Sequence, residues 1–187
     1  MLEALSKQIT TLVIAAGSLF SSHVTPVFDN CSYHLQDNVL VFSGRIVNCY
    51  NKDIDQIMQS GQQILLEFTY RIHEHGREMP LHVNSETHVI KYDVVDKFFN
   101  IDKTEEGENF IFLDFDEAKQ HFVLLEVLNI QHIDFFEEGR EYFFEVTASL
   151  HSVYLEEMEK NIELMKYWNN KSPTYRSPIF SLQDLKS

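Results

Sequence analysis

Residues 64–72 read Ile64-Leu65-Leu66-Glu67-Phe68-Thr69-Tyr70-Arg71-Ile72, and the order of these side chains settles the fold class. Ile64, Leu66, Phe68, Tyr70 and Ile72 alternate with Leu65, Glu67, Thr69 and Arg71. A period of two places the first set on one side of an extended chain and the second on the other, the pattern of a strand with one face on a core. Working outward, Val39–Asn48 sets Leu40, Phe42 and Ile46 against Val41, Ser43 and Arg45. Tyr142, Phe144, Val146, Ala148 and Leu150 alternate with Phe143, Glu145, Thr147 and Ser149. His82–Tyr92 reads as a more polar strand, and Phe98–Asp102 and Asn109–Leu113 as a hairpin about the TEEGE turn.

Helices are fewer. Lys52–Ser60 carries Ile54, Ile57 and Met58 at helical spacing, and Gly61 stands where a left-handed residue ends a helix. Asp114–Val127 opens on acidic residues and continues with Phe115, Ala118, Phe122 and Leu125 on one face. A third helix is expected from Leu155, Met158, Ile162, Met165 and Trp168, with SPTYRSP as its stop. Strands dominate at short intervals. The expected fold is mainly β, an antiparallel β-sandwich of immunoglobulin-like architecture with two or three short helices, in a single domain over residues 28–180.

Composition agrees with a packed domain. The 187 residues are 44% hydrophobic and 13% aromatic, enough for a sizeable core. The net charge of −14 repels phosphate backbones, so nucleic acid is not an expected partner, and it favours cationic protein patches instead. No stretch of membrane-spanning length follows residue 20. Residues 1–22 read as a signal peptide or an uncleaved anchor helix: Lys7 precedes the apolar run ITTLVIAAGSLF, and Ala16 and Ser18 suit a cleavage site. Leu2, Leu5, Ile9, Leu12, Ala16 and Leu19 also form an amphipathic stripe, so a packing helix is the alternative there.

Only Cys31 and Cys49 carry thiols. A tight hairpin at Asp37-Asn38 places Cys31 opposite Gly44, out of bridging reach of Cys49. For chemistry, the sequence offers His73-Glu74-His75, with His82 across a hairpin near Gly76 and Pro80, and His88 beyond. Clustered imidazoles in this pattern are candidate zinc or copper ligands, and His73, His75 and His82 are the expected metal set. The acidic pairs Asp114/Asp116 and Glu137/Glu138 have no nucleophile or base beside them and read as solvated faces. GxSxG, HExxH, CxxC and phosphate-cradling glycine motifs are all missing, so neither an enzyme nor a cofactor is expected. The stripe Leu155, Met158, Ile162, Met165 and Trp168 is the candidate partner-docking face, against the alternative that it covers the core.

Four stretches carry a family resemblance: YHLQDNVLVFSGRI; the helix ending in Ser60-Gly61 with ILLEFTYRIHEH after it; HVIKYDVVDKFFNI; and FLDFDEAKQHFVLLEVLNI followed by REYFFEVTASL. Over about residues 30–150 the chain resembles the bacterial domain-of-unknown-function family 4390, a set of exported or envelope-associated proteins. The resemblance implies a signal peptide, a periplasmic or otherwise extracytoplasmic address, and an accessory role beside a membrane sensor kinase. The function expected is therefore a non-enzymatic protein-interaction or accessory module whose partner is another envelope or membrane protein. The alternative is a metal- or small-ligand-binding envelope protein that uses the His73/His75/His82 region.

Overall fold

The computed structural model describes residues 23–155 and 159–186. The expected signal peptide or anchor helix at residues 1–22, and Met158 of the late stripe, lie outside the described residues. The chain forms strands β1 (Val27–Gln36), β2 (Val39–Val47), β3 (Ile64–Glu74), β4 (His82–Asp93), β5 (Phe98–Lys103), β6 (Glu108–Phe112), β7 (Leu124–His132) and β8 (Glu141–Leu150). Shorter strands follow: β9 (Val153–Leu155), β10 (Lys160–Ile162), β11 (Thr174–Arg176) and β12 (Phe180–Ser181). Three α-helices are described, α1 (Lys52–Gln59), α2 (Phe115–Phe122) and α3 (Leu182–Lys186).

The expected mainly β, antiparallel sandwich is what forms. One sheet has the order β1-β2-β7; the other runs β11-β8-β3-β4-β5-β6, with β12 also on β8. Every pairing is antiparallel. The sheets meet through aromatic rings: Tyr33 and Phe42 of the small sheet lie 5.4 Å and 5.8 Å from Phe144, and Phe28 lies 6.4 Å from Phe68. Ile64, Leu66, Phe68, Tyr70 and Ile72 are all buried, as their alternation requires. Each such side chain contributes about 1.5–3 kcal/mol relative to exposure, an upper range because the unfolded chain is partly collapsed. One hydrophobic cluster runs from Leu40 to Leu182.

Local chemistry sets the turns and caps. Asp37 and Asn38 have φ of +50° and +64°, the left-handed pair of a two-residue hairpin, and they pair Ser32 with Ser43 and Tyr33 with Phe42. Asn51 caps α1 by accepting from the Ile54 N–H at 2.9 Å, and Gly61 closes it with φ of +83°. Both thiols are free, and Cys31 Sγ lies over Gly44, 3.2 Å from where a Cβ would stand. The hairpin expectation for the cysteines is thus met.

Two helix expectations need correction. The helix expected over Asp114–Val127 stops at Phe122, and Leu124–His132 is strand β7. Helical spacing persists in the sequence to Leu125. Strand β2 nevertheless captures this segment: the Ile46 N–H donates to Val123 O at 3.2 Å, and Arg45 and Gly44 pair with Leu124 and Leu125. The late helix expected from Leu155 to Trp168 does not form either. Val153–Leu155 pairs with Lys160–Ile162 as a small ribbon, Glu159 has φ of +47°, and a 3-10 helix spans Leu164–Trp168. A left-handed residue cannot sit inside an α-helix without strain.

Candidate interaction edge and buried polar clasp

The histidines expected to bind metal are held in three separate environments. Register pairs Ile72 with His82, so His82 shares the core side of the sheet, near Tyr70 at 6.3 Å and Phe135 at 6.2 Å between ring centres. His73 is on the opposite face, stacked on Phe143 at 4.7 Å. His75 lies past the end of β3 and pairs with Glu141 at 3.1 Å. The one-position change in parity between residues 72 and 73 separates the set. Among the described residues, no group of three or more His, Cys, Asp or Glu is placed to hold a metal ion.

The expected docking stripe is likewise dispersed. Trp168 is buried, and its indole N–H donates to Cys49 O at 2.9 Å. Leu155, Ile162 and Met165 are half-buried against the same core, and Met165 Sδ accepts from the Leu150 N–H. These side chains pack the core. The acidic pairs have local structural work: Asp114 caps α2 at the Glu117 N–H, Asp116 lies 3.0 Å from Lys119, and Glu137 lies 2.9 Å from Arg140.

A polar cluster outside both expectations lies at the hairpin β5–β6. His88 of β4 is fully buried; its Nδ1 donates to Phe122 O at 2.6 Å, and its Nε2 faces Glu105 Oε1 at 2.5 Å. Lys103 of β5 is also buried, and its ammonium donates to Glu106 Oε1 at 2.8 Å and Leu124 O at 2.9 Å. His88 thus satisfies the carbonyl of the last residue of α2, where a helix leaves acceptors free, and Lys103 that of the first residue of β7. Glu105 and Glu106 reach inward from the turn to meet them, so the turn works as a clasp between the large sheet and the α2–β7 junction. The cluster contains two buried atoms with no hydrogen-bond partner, Glu105 Oε2 and His121 Nε2. Burial, aided by the nearby Lys103 ammonium, holds the His121 imidazole below its ordinary pKa.

In the sequence TEEGE has the composition of a turn, and His88 follows His73, His75 and His82 with nothing local to tie it to Glu105. Parity carried the missing signal. His88 is two residues from buried Ile90, and Lys103 two from buried Ile101, so both point inward along their strands.

A cleft of about 440 Å³ opens between the end of β2 and α2, lined by Arg45, Asn48, Tyr50, Lys119 and Val123 among others. Its cations are already engaged. Arg45 pairs with Asp29 at 2.9 Å, and Lys119 with Asp116 at 3.0 Å and Asp55 at 3.4 Å. Burial opposes the Lys119 charge, but the two aspartates outweigh it and raise its pKa.

Beyond the clasp, β6 ends the large sheet and pairs only with β5 among the described residues. Its sequence ENFIF turns Phe110 and Phe112 inward, their rings 4.3 Å and 4.9 Å from His121. Ile111 and the following Leu113 point outward, 64% and 81% exposed. This is an open strand edge with apolar side chains on its outer face.

No family model, no curated protein and no solved structure matches the chain in the three comparisons made. What defines the molecule is therefore its fold and its own surfaces: an antiparallel sandwich with one clasped, open-edged hairpin.

Proposed function

We propose that the protein is a non-enzymatic interaction module of the bacterial cell envelope, exported or anchored through residues 1–22, in the manner of family 4390. Its role is accessory to another envelope or membrane protein. The observation that carries the reading is the open edge of β6 with Ile111 and Leu113 exposed beside it. Isolated exposed aliphatics need no explanation, but an unpaired strand edge carrying them is a template for another chain. Among the described residues, no helix is long and apolar enough to cross a membrane.

The test is site-specific photo-cross-linking in the native host, with the label at Ile111 in one strain and at Thr69 in another. Thr69 is part-exposed on the outer face of β3 and is paired on both sides, with Ser85 of β4 and Thr147 of β8. The expected result is an extracytoplasmic chain whose Ile111 label, and not its Thr69 label, forms an adduct with an envelope protein. A cytosolic chain with an intact Met1, or labels that give no adduct, overturns the proposal.

A further inference from the structure

We infer that the open edge of β6 seats an extended partner segment that carries Lys or Arg and sets aliphatic side chains at alternate positions. This rests on the interaction-module reading and adds the chemistry of the partner.

The outer edges of the small and the large sheet differ in how they are protected, and the stretch of β4 that β5 does not reach, His82 to Glu86, is polar apart from Val83. β1 is broken by a register shift between Asp29 and Ser32. β7 is irregular twice against β2, between Leu40 and Val41 and between Phe42 and Gly44. β11 has three residues and lies between Pro173 and Pro178, and β12 has two. Bulges, prolines and shortness are the devices by which natural sheets stop a further strand from adding. β6 has an unbroken register from Glu108 to Phe112, with neither Pro nor Lys in it. It is also the outer strand whose hairpin is fastened by the Glu105–His88 and Glu106–Lys103 contacts. An edge held in place before binding loses less freedom when a strand adds.

The chemistry of the occupant follows from what flanks this edge. Ile111 and Leu113 lie two residues apart on one face. The register Phe99–Phe112 brings Leu113 up to Phe98, at the turn that exposes Val94 and Val95. A strand alongside would set alternate side chains against these aliphatics. Around them, Asp102, Glu108, Asp114, Asp116 and Glu117 are exposed, against Lys91 and Lys97. A segment with Lys or Arg between its aliphatics complements this field, and an acidic one is repelled. A second copy of the chain would bring another net charge of −14 to the same edge, which opposes self-pairing.

The experiment uses the full chain and three probe peptides of about ten residues, long enough to span a strand. One alternates Lys and Val, one alternates Glu and Val, and one is the Lys–Val peptide with alternate backbone nitrogens methylated. Fluorescence anisotropy reads affinity, and hydrogen exchange reads the amides of residues 108–112. The Lys–Val peptide should bind at least about tenfold more tightly than the Glu–Val peptide, with weakening as salt rises. It should slow exchange across β6, and the methylated version should lose binding. Ile111→Lys with Leu113→Lys, both exposed and so tolerated by the fold, should lower its affinity by at least about tenfold. Equal binding of the Glu–Val peptide overturns the charge assignment. Unchanged exchange at 108–112, or self-association abolished by Ile111→Lys, overturns the inference as a whole. The Ile111 cross-link in cells separates the two levels: an adduct with no peptide binding removes only the partner chemistry, and no adduct removes the module reading as well.

Discussion

At the scale of single residues, the stakes are highest where paired polar groups are buried. Removing one partner of a buried pair strands the other, a cost of about 3–5 kcal/mol. His88→Ala leaves Phe122 O without its donor and Glu105 Oε1 without its imidazole partner. We expect it to lower the melting temperature by about 6–20 °C, at about 2–4 °C per kcal/mol for a chain of this size. The double change His88→Leu with Glu105→Leu should cost clearly less than the sum of His88→Leu and Glu105→Leu made singly, since neither polar group is then left buried without the other. Calorimetry of the four proteins measures the coupling, and additive losses would show that the clasp is not a unit.

The thiols make a second residue-scale prediction. Burial pushes the Cys49 thiol up to about 12, whereas Cys31 is half-buried and raised less. An aqueous disulfide reagent at about pH 8 should label Cys31 alone until the protein unfolds. A thiol whose folded pKa is raised binds its proton more tightly in the folded state. Its stabilising effect is complete below the unfolded value of 9.0 and is lost as pH rises from there towards about 12. Cys49→Ala should therefore flatten the alkaline fall in stability, while the burial-raised Tyr50 keeps part of it. On the acid side the sign reverses for His121. Its lowered folded pKa disfavours protonation, so stability falls as pH drops below its ordinary value of 6.5. His121→Phe should make denaturant midpoints less pH-dependent in that window, and an unchanged slope would remove His121 as the cause.

At the scale of elements, turn chemistry and strand register act together. The Asp37-Asn38 turn needs two left-handed residues, which costs about 1–2 kcal/mol for an ordinary L-residue. Asn38→Val should destabilise by roughly that amount, and Asn38→Gly should be neutral or slightly stabilising. Urea midpoints for both variants check this, and a tolerated valine would argue against the turn. The same hairpin shows how far local reasoning reaches. A tight turn at 37–38 correctly places Cys31 over Gly44, because the register of a short hairpin follows from its turn. The β3–β4 connection is longer, so its residues do not define the register: a hairpin about Gly76 and Pro80 brings His75 near His82, whereas the chain sets Ile72 there.

At the scale of the whole molecule, the charge of −14 is spread over a surface around one core. Mutual repulsion opposes the folded state and is screened by salt. Raising NaCl from about 0.02 M to about 0.3 M should raise the melting temperature by about 2–4 °C, with one cooperative transition. A fall with salt would mean that surface ion pairs such as Arg45–Asp29 outweigh the repulsion.

The amino-acid sequence by itself determined strands β2 to β6 and β8, the first helix with its Gly61 stop, the 37–38 hairpin and the mainly β class. Each is written in side-chain alternation, helical spacing or a turn residue within about ten positions, a range over which backbone geometry alone relates residues. Tertiary structure decided the remainder. Leu124–Leu125 continues a helical pattern, yet pairs with β2 because Arg45 and Gly44 offer it a ladder. The described residues of the late stripe form a ribbon, Val153–Leu155 with Lys160–Ile162, and a 3-10 helix over Leu164–Trp168, with Trp168 donating to Cys49 O across the fold. The clasp joins His88 to Glu105 and Lys103 to Leu124, and only packing shows that the inward side of those strands meets the end of α2. Sequence patterns report which side of an element is apolar; which element lies opposite depends on long-range pairing, where the choice among partners is energetic and collective.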